Sequence, residues 1–135
     1  MALTKTTDLG MITISNDLIT SLLFEAENLP EVSGKLWISN GKGRVMGVMA
    51  QLSGREKNTL FQTRITRDDR IVLSFSVVTQ FGASIKEVTK AAADHIAARL
   101  TEFTDQKVDS ITVYIVGVRS RHTARRNVKA VYTYD

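Results

Sequence analysis

The chain lacks cysteine entirely and has a single proline among its 135 residues. Without thiols it has no disulfide framework, no zinc–thiolate site and no cysteine nucleophile. No apolar run approaches the roughly 20 residues that a membrane-spanning helix needs. Residues 1–10 are polar and lack the apolar segment of a signal peptide. These absences predict an intracellular protein.

Acidic residues are missing from one segment, and this concentrates the net charge of +4. Residues 119–129 contain no acid and carry the basic residues Arg119, Arg121, Arg125, Arg126 and Lys129. Removing these five charges leaves 4 − 5 = −1, so the rest of the chain is nearly neutral. Two interpretations stay open. The segment either contacts phosphates of nucleic acid or anionic lipid, with Tyr132 and Tyr134 available to stack on bases, or is a solvated tail.

The strongest local pattern lies between residues 70 and 88. Apolar residues alternate there at Ile71, Leu73, Phe75 and Val77. This period of two predicts a strand with one face in a core. Gly82 interrupts the pattern, and Ser84 with Glu87 three residues later forms a capping box that predicts a helix to about residue 103. The apolar stripe of that helix consists of Ile85, Val88, Ala92, Ile96, Leu100 and Phe103.

The remaining elements are shorter. A first helix is predicted from residue 15 to about 29, where Pro30 stops it. Strands are predicted at 10–14, 36–38, 60–66 and 111–118, while 128–134 reads as a further strand or a disordered end. We therefore predict an α+β two-layer domain with a mixed or antiparallel sheet of about four to five strands and two main helices on one face. The predicted organisation is a flexible N-terminal arm (1–9), the domain (10–118) and a basic C-terminal tail (119–135).

A candidate partner surface comes from apolar residues that the predicted core does not use. Phe24 points away from the stripe of the first helix. Residues 45–52 follow helical spacing and are rich in methionine. They form either a lid on the domain's own core or a contact surface for a partner or membrane face. The candidate surface comprises Phe24, Val45, Met46, Val48, Met49 and Leu52.

Catalytic patterns are weak throughout. Asp68 and Asp69 are typical of a turn, and His95 lies at the flank of a helix stripe as structural histidines do. The glycine-rich run 41–44 lacks the spacing of a phosphate-binding loop. No serine–histidine–aspartate set and no metal cluster is recognisable, so we predict no enzyme, no cofactor and no metal site.

Three stretches together resemble the alkaline-shock protein family of Gram-positive bacteria, also called the envelope stress response family. Residues 10–19 are similar to the family's opening G-x-I-x-I-S and following helix. Residues 82–88 resemble its Y-G-x-S-I-x-E-V step, with Phe81 where tyrosine is common. Residues 108–118 are similar to its closing strand, and 54–58 to a G-R-K-N loop. The chain departs from the pattern at 31–35, where the family is more acidic, and in its basic tail.

The resemblance implies a small cytoplasmic protein without known catalysis, linked to envelope homeostasis and stress. It also implies self-association and attachment to the inner face of the membrane through a membrane-anchored partner. A scaffold or adaptor is therefore the first hypothesis. A module that binds RNA or anionic lipid through the basic tail is the alternative, and an enzyme is the third.

Overall fold

The computed structural model describes residues 2–7, 10–40, 45, 60–120 and 123–134. Its elements follow in the order β1 (Ala2–Thr7), β2 (Gly10–Ser15), α1 (Asn16–Glu27), β3 (Leu36–Ser39), β4 (Phe61–Ile65), β5 (Ile71–Gln80), α2 (Ile85–Thr104), β6 (Val108–Arg119) and β7 (Thr123–Thr133).

Strand β5 lies at the centre of a five-stranded sheet with the order β3-β5-β6-β7. Strand β3 pairs with the C-terminal half of β5 and β4 with its N-terminal half, so the two short strands lie end to end along one side. On the other side, β6 pairs with β5 in parallel, and β7 pairs with β6 antiparallel. The mixed sheet and its helices confirm the predicted α+β two-layer fold.

Helix α2 begins and ends with defined caps. The Ser84 hydroxyl accepts a hydrogen bond from the Glu87 amide at 3.3 Å, as the capping box predicts. Gly82 has a φ of +87°, a left-handed conformation that glycine adopts without a Cβ penalty, and it turns the chain from β5 towards the helix. Asp105 ends the helix in the same region, at φ 57°.

Both helices cover one face of the sheet, which we call the covered face. The core between them includes Leu73 and Phe75 of β5, Leu23 of α1 and Ile96 of α2, all at most 2% exposed. Burying each such side chain contributes about 1.5–3 kcal/mol. The predicted stripe of α2 is correct except at its last member, because Phe103 is 55% exposed and lies beside the Arg99 guanidinium.

The chain ends differ from the prediction. Residues 2–7, expected as a flexible arm, form β1 and pair with β2 in a separate two-stranded sheet. Most of the expected basic tail forms β7, an integral strand of the main sheet. Both segments are rich in residues that favour strands, and both find a neighbouring strand to supply backbone partners.

The turn between β4 and β5 is as predicted. The Thr66 amide donates to the Arg70 carbonyl at 2.8 Å, and Asp69 adopts a positive φ of 60°. Asp69 therefore has a conformational role at this turn, which aspartate fulfils more readily than most residues.

Candidate functional site

The face of the sheet opposite the helices, which we call the open face, is built of residues that alternate with the core residues. Directly paired residues of neighbouring strands point to the same face, so the register arranges them in rows across the sheet. One row is Trp37, Val78, Gly117 and Arg125, the next is Ser39, Ser76, Tyr114 and Lys129, and a third is Gln62, Ser74, Thr112 and Val131. In the second and third rows, small hydroxyl side chains thus lie beside larger aromatic, basic and apolar ones. Towards β3 this face is covered, because Val78 and Ser39 are fully buried.

A bulge in β6 decides which residues reach this face near its end. Val77 pairs with Ile115 and Val78 with Gly117, so Val116 is an extra residue in β6. An extra residue reverses the alternation of the strand beyond it. Ile115, before the extra residue, points into the core. After it, Gly117 and Arg119 belong to the open face.

Arg119 is the basic residue that the bulge turns towards the open face. Its guanidinium carbon lies 5.0 Å from the centre of the Trp37 ring, within the range of a cation–π contact. The neighbouring turn holds Phe81, which is 72% exposed and whose amide donates to the Arg119 carbonyl at 2.8 Å. Arg119 and Trp37 therefore meet at this end of the sheet, and an exposed phenylalanine lies on the adjoining turn.

Tyr114 and Lys129 form the centre of the open face on β6 and β7. Tyr114 is 42% exposed, and Lys129 is the residue directly paired with it. Val131, one row further along β7, is 51% exposed. An aromatic ring, an ammonium group and an apolar side chain are therefore accessible together.

The predicted basic residues do not all share one place. Arg119, Arg125 and Lys129 belong to the open face, and Arg125 and Lys129 are exposed. Arg126 lies where the pairing of β6 and β7 shifts register. Arg121 lies outside the described residues.

Tyr132 and Tyr134, offered above for stacking on bases, belong to the covered side. The Tyr132 hydroxyl lies 2.7 Å from the Thr89 hydroxyl and donates to the Lys86 carbonyl at 3.1 Å. The Tyr134 hydroxyl donates to the Asp94 carboxylate at 2.9 Å, and burial together with this bond raises the pKa of Tyr134. Because both rings hold β7 against α2, their predicted availability to bases is wrong.

Sequence reasoning missed the aromatic residues that do reach the open face. Tyr114 occupies one of the outward positions of β6, between Val113 and Ile115, and the alternation alone could have identified it. Trp37 has no such signal, because β3 is only four residues long.

The candidate partner surface is only partly described. Phe24 is 8% exposed and belongs to the core, so its predicted outward position is wrong. Helix α1 contacts β2, β3 and α2, and it is therefore buried on more sides than one stripe provides. Val45 is half-buried and forms an isolated antiparallel bridge with Ser39. Met46, Val48, Met49 and Leu52 lie outside the described residues.

A polar cluster joins the outer surfaces of the two helices. His95 Nε2 lies 2.6 Å from Glu25 Oε1, and Arg99 Nε lies 3.1 Å from the same oxygen. Arg99 also contacts Glu102 at 3.0 Å. These contacts link the two helices to each other and successive turns of α2. They give His95 a structural role, such as the sequence predicts.

The Glu27 carboxylate is partly buried. Burial raises the pKa of Glu27, and the hydrogen bond that the Ile38 amide donates to Glu27 Oε1 at 2.9 Å opposes that rise. The carboxylate connects the end of α1 to the edge strand β3. Its role is to satisfy a backbone amide at the margin of the sheet.

Neither a metal centre nor a membrane-spanning helix occurs in the part of the chain that the structure describes. Within residues 2–7, 10–40, 45, 60–120 and 123–134, no three histidine, aspartate or glutamate side chains are grouped to hold a metal ion. In the same ranges no helix is long and apolar enough to cross a bilayer.

Comparison with known proteins agrees with the motifs and the fold. No curated protein and no solved structure matches the chain. The sequence profile of the alkaline shock protein 23 family, described as having a cell envelope-related function, matches residues 4–120. That match covers β1 through β6 and most of the 135 residues. The chain belongs to this alkaline shock protein family, with its cell envelope-related function.

Proposed function

We propose that the chain is a non-catalytic scaffold or adaptor in cell-envelope homeostasis and stress response. It acts in the cytoplasm at the inner face of the membrane, where it associates with itself and with a membrane-anchored protein. The membership in an envelope-related family supports the setting of this role. The unpaired edge of β7 is the structural observation that carries the proposed mechanism.

Strand β7 is the last strand of the sheet and pairs with β6 along one side. Within the described ranges nothing pairs with its other side. It is 11 residues long, whereas β3 and β4 at the opposite edge have four and five residues. A long edge strand offers a row of unpaired N–H and C=O groups to another chain, so β7 is suited to accept a further strand.

The side chains of β7 set the conditions for that pairing. Val128 and Val131 are 38% and 51% exposed, and a neighbouring strand would bury them further. Arg125, Arg126 and Lys129 place positive charge on the same strand. When two copies meet edge to edge, these charges repel each other, and salt screens the repulsion. Self-association through β7 is therefore expected to strengthen as the salt concentration rises, whereas binding of an acidic partner strand weakens.

Sedimentation velocity over a range of protein and salt concentrations tests the self-association. Val131→Lys adds a charge at the exposed edge and is expected to shift the protein towards the monomer. Ser33→Lys adds the same charge at an exposed turn away from β7 and serves as the matched control. Equal sedimentation of both variants at every concentration, or a strict monomer in the wild type, contradicts the proposed interface.

Cross-linking in cells, followed by identification of the retained proteins, tests the membrane-anchored partner. The comparison is between wild type, Val131→Lys and Ser33→Lys. Truncation at residue 119 is unsuitable, because it removes the tyrosines that pack β7 against α2. The expected result is an envelope protein that wild type and Ser33→Lys retain and Val131→Lys loses. Recovery of no envelope protein by any of them argues against the adaptor role.

A further inference from the structure

We infer that the open face of the sheet binds single-stranded nucleic acid. The site uses side chains that point away from the helices, whereas strand pairing at the β7 edge uses backbone N–H and C=O groups. The central residues are Trp37, Arg119, Tyr114, Lys129 and Arg125.

The charge of the open face favours a polyanion. Arg119, Arg125 and Lys129 lie on the adjacent strands β6 and β7. None of the residues in the three rows is acidic, and no carboxylate of the described ranges forms an ion pair with any of these cations. Cations without a nearby acid attract phosphates and release counterions when they bind them.

The rings of the open face favour bases in addition to phosphates. The Tyr114 ring is exposed directly beside Lys129, and the Arg119 guanidinium lies over Trp37. Bases stack on aromatic rings and on guanidinium planes, and sheets that carry such groups on an uncovered face bind single strands in this way. Tyr114 and Trp37 are two strands and one row apart, a separation of roughly 12 Å by ordinary sheet spacing.

The sheet surface beside Tyr114 carries small side chains. Ser74, Ser76 and Thr112 are partly exposed, so an extended strand of nucleic acid can lie close to the sheet there. Val78 and Gly117, in the row of Trp37, are buried, so on that side only Trp37, Arg119 and Arg125 themselves are accessible. A membrane surface is a poorer match, since peripheral binding needs a broad apolar face to enter the lipid. The exposed apolar groups on these rows are Val131 and the ring of Tyr114.

The single tryptophan of the chain makes the site directly observable, because Trp37 belongs to it. The experiment titrates the full chain with a single-stranded oligoribonucleotide, with an abasic oligonucleotide of equal length, and with vesicles of phosphatidylglycerol. Fluorescence of Trp37 and anisotropy of labelled oligonucleotides are the readouts. We expect the oligoribonucleotide to quench Trp37 and to bind on the order of tenfold more tightly than the abasic chain, as stacking of a base implies.

Variants of Tyr114 and Lys129 assign the binding to this face. Tyr114→Val keeps a residue suited to a strand but removes the ring, and it should weaken binding about tenfold, whereas Tyr114→Phe should keep it. Lys129→Ala should lower the salt dependence, by about 0.7 in the logarithmic slope. Phe103→Val and Lys107→Ala change an exposed aromatic residue and an exposed cation elsewhere, and both should bind as wild type does.

Equal affinity for the oligoribonucleotide and the abasic chain overturns the inference, because the face then acts through charge alone. Binding to vesicles without binding to the oligoribonucleotide also overturns it. Loss of binding in Tyr114→Phe equal to that in Tyr114→Val excludes stacking. Val131 lies on the open face as well, so the two proposals are distinguished by the readout. Sedimentation without nucleic acid tests the β7 edge, and binding by the Tyr114 and Lys129 variants tests this site.

Discussion

The two faces of one sheet differ sharply in what their residues do. On the covered face, Leu73, Phe75 and Val113 are at most 2% exposed and form the core with both helices. On the open face, most intervening positions carry serine, threonine, tyrosine or lysine. Tyr114 is 42% exposed there, whereas Val78, towards β3, is fully buried. The strand period of two separates them, so one strand provides stability on one side and an accessible surface on the other. Substitutions on the two faces should therefore affect different measurements.

The largest effect is expected from Phe75→Ala on the covered face. Removing a fully packed aromatic ring leaves a cavity and should lower the free energy of unfolding by about 3–5 kcal/mol. Urea denaturation monitored by circular dichroism measures this change. Tyr114→Val on the open face is the control and should change the free energy by less than about 1 kcal/mol. Similar costs for both would mean that the Tyr114 ring is packed and not exposed.

A smaller effect is expected when the helix that covers the sheet loses its cap. Ser84→Ala removes the oxygen that accepts the Glu87 amide, which should cost about 0.5–2 kcal/mol of unfolding free energy. Thermal denaturation measures the loss, and Ser84→Asp should restore most of it because aspartate caps equally well. An aspartate variant as unstable as the alanine variant would show that the cap bond does not stabilise α2.

A matched pair of tyrosine variants compares the two faces, because each variant removes one hydroxyl group from one face. Tyr132→Phe removes the hydroxyl bonded to Thr89 and the Lys86 carbonyl, and it should lower the free energy of unfolding by about 0.5–1.5 kcal/mol. Tyr114→Phe removes an exposed hydroxyl and should leave stability nearly unchanged. Chemical denaturation of both proteins in parallel checks the difference, and equal costs would contradict the assignment of Tyr132 to the covered side.

The smallest effect is expected in the pH dependence of the free energy of unfolding, through Glu27 at the end of α1. Burial raises the pKa of Glu27 above its ordinary value of 4.5, so the folded state holds this proton more tightly than the unfolded state. Its contribution to stability therefore falls as the pH rises from about 4.5 through the folded pKa. Glu27→Gln keeps an oxygen for the Ile38 amide and removes the titration. The free energy of unfolding of the variant minus that of wild type should increase over this pH range.

The elements that the sequence predicts well are those with a long, regular pattern. Strand β5 alternates from Ile71 to Val77, and the cap at Ser84 has a local mechanism, so both could be predicted without knowledge of the fold. The open face could be predicted only in part. The outward position of Tyr114 follows from alternation, but the direction of Arg119 depends on the bulge at Val116. Simple alternation from Ile111 would place Arg119 in the core, and no local residue preference corrects that.

The errors have a common physical origin in tertiary contacts. Phe24 is buried because α1 is enclosed by β2, β3 and α2, and a single helix does not reveal how many neighbours it will have. Residues 123–134 combine exposed charges with two tyrosines that bond to α2, and composition alone suggests a solvated tail. The strand exists because β6 offers it backbone partners and α2 accepts its tyrosines.

The parallel pairing of β5 with β6 has a consequence for how the chain folds. Strands β4 and β5, like β6 and β7, are joined by short turns and need little loop closure to pair. Ile71 and Val108, by contrast, are 108 − 71 = 37 residues apart in sequence. Their pairing requires the whole of α2 to be folded back across the sheet, and closing so long a loop is slow. We therefore expect the hairpins to form early and the central seam of the sheet to close in the rate-limiting step.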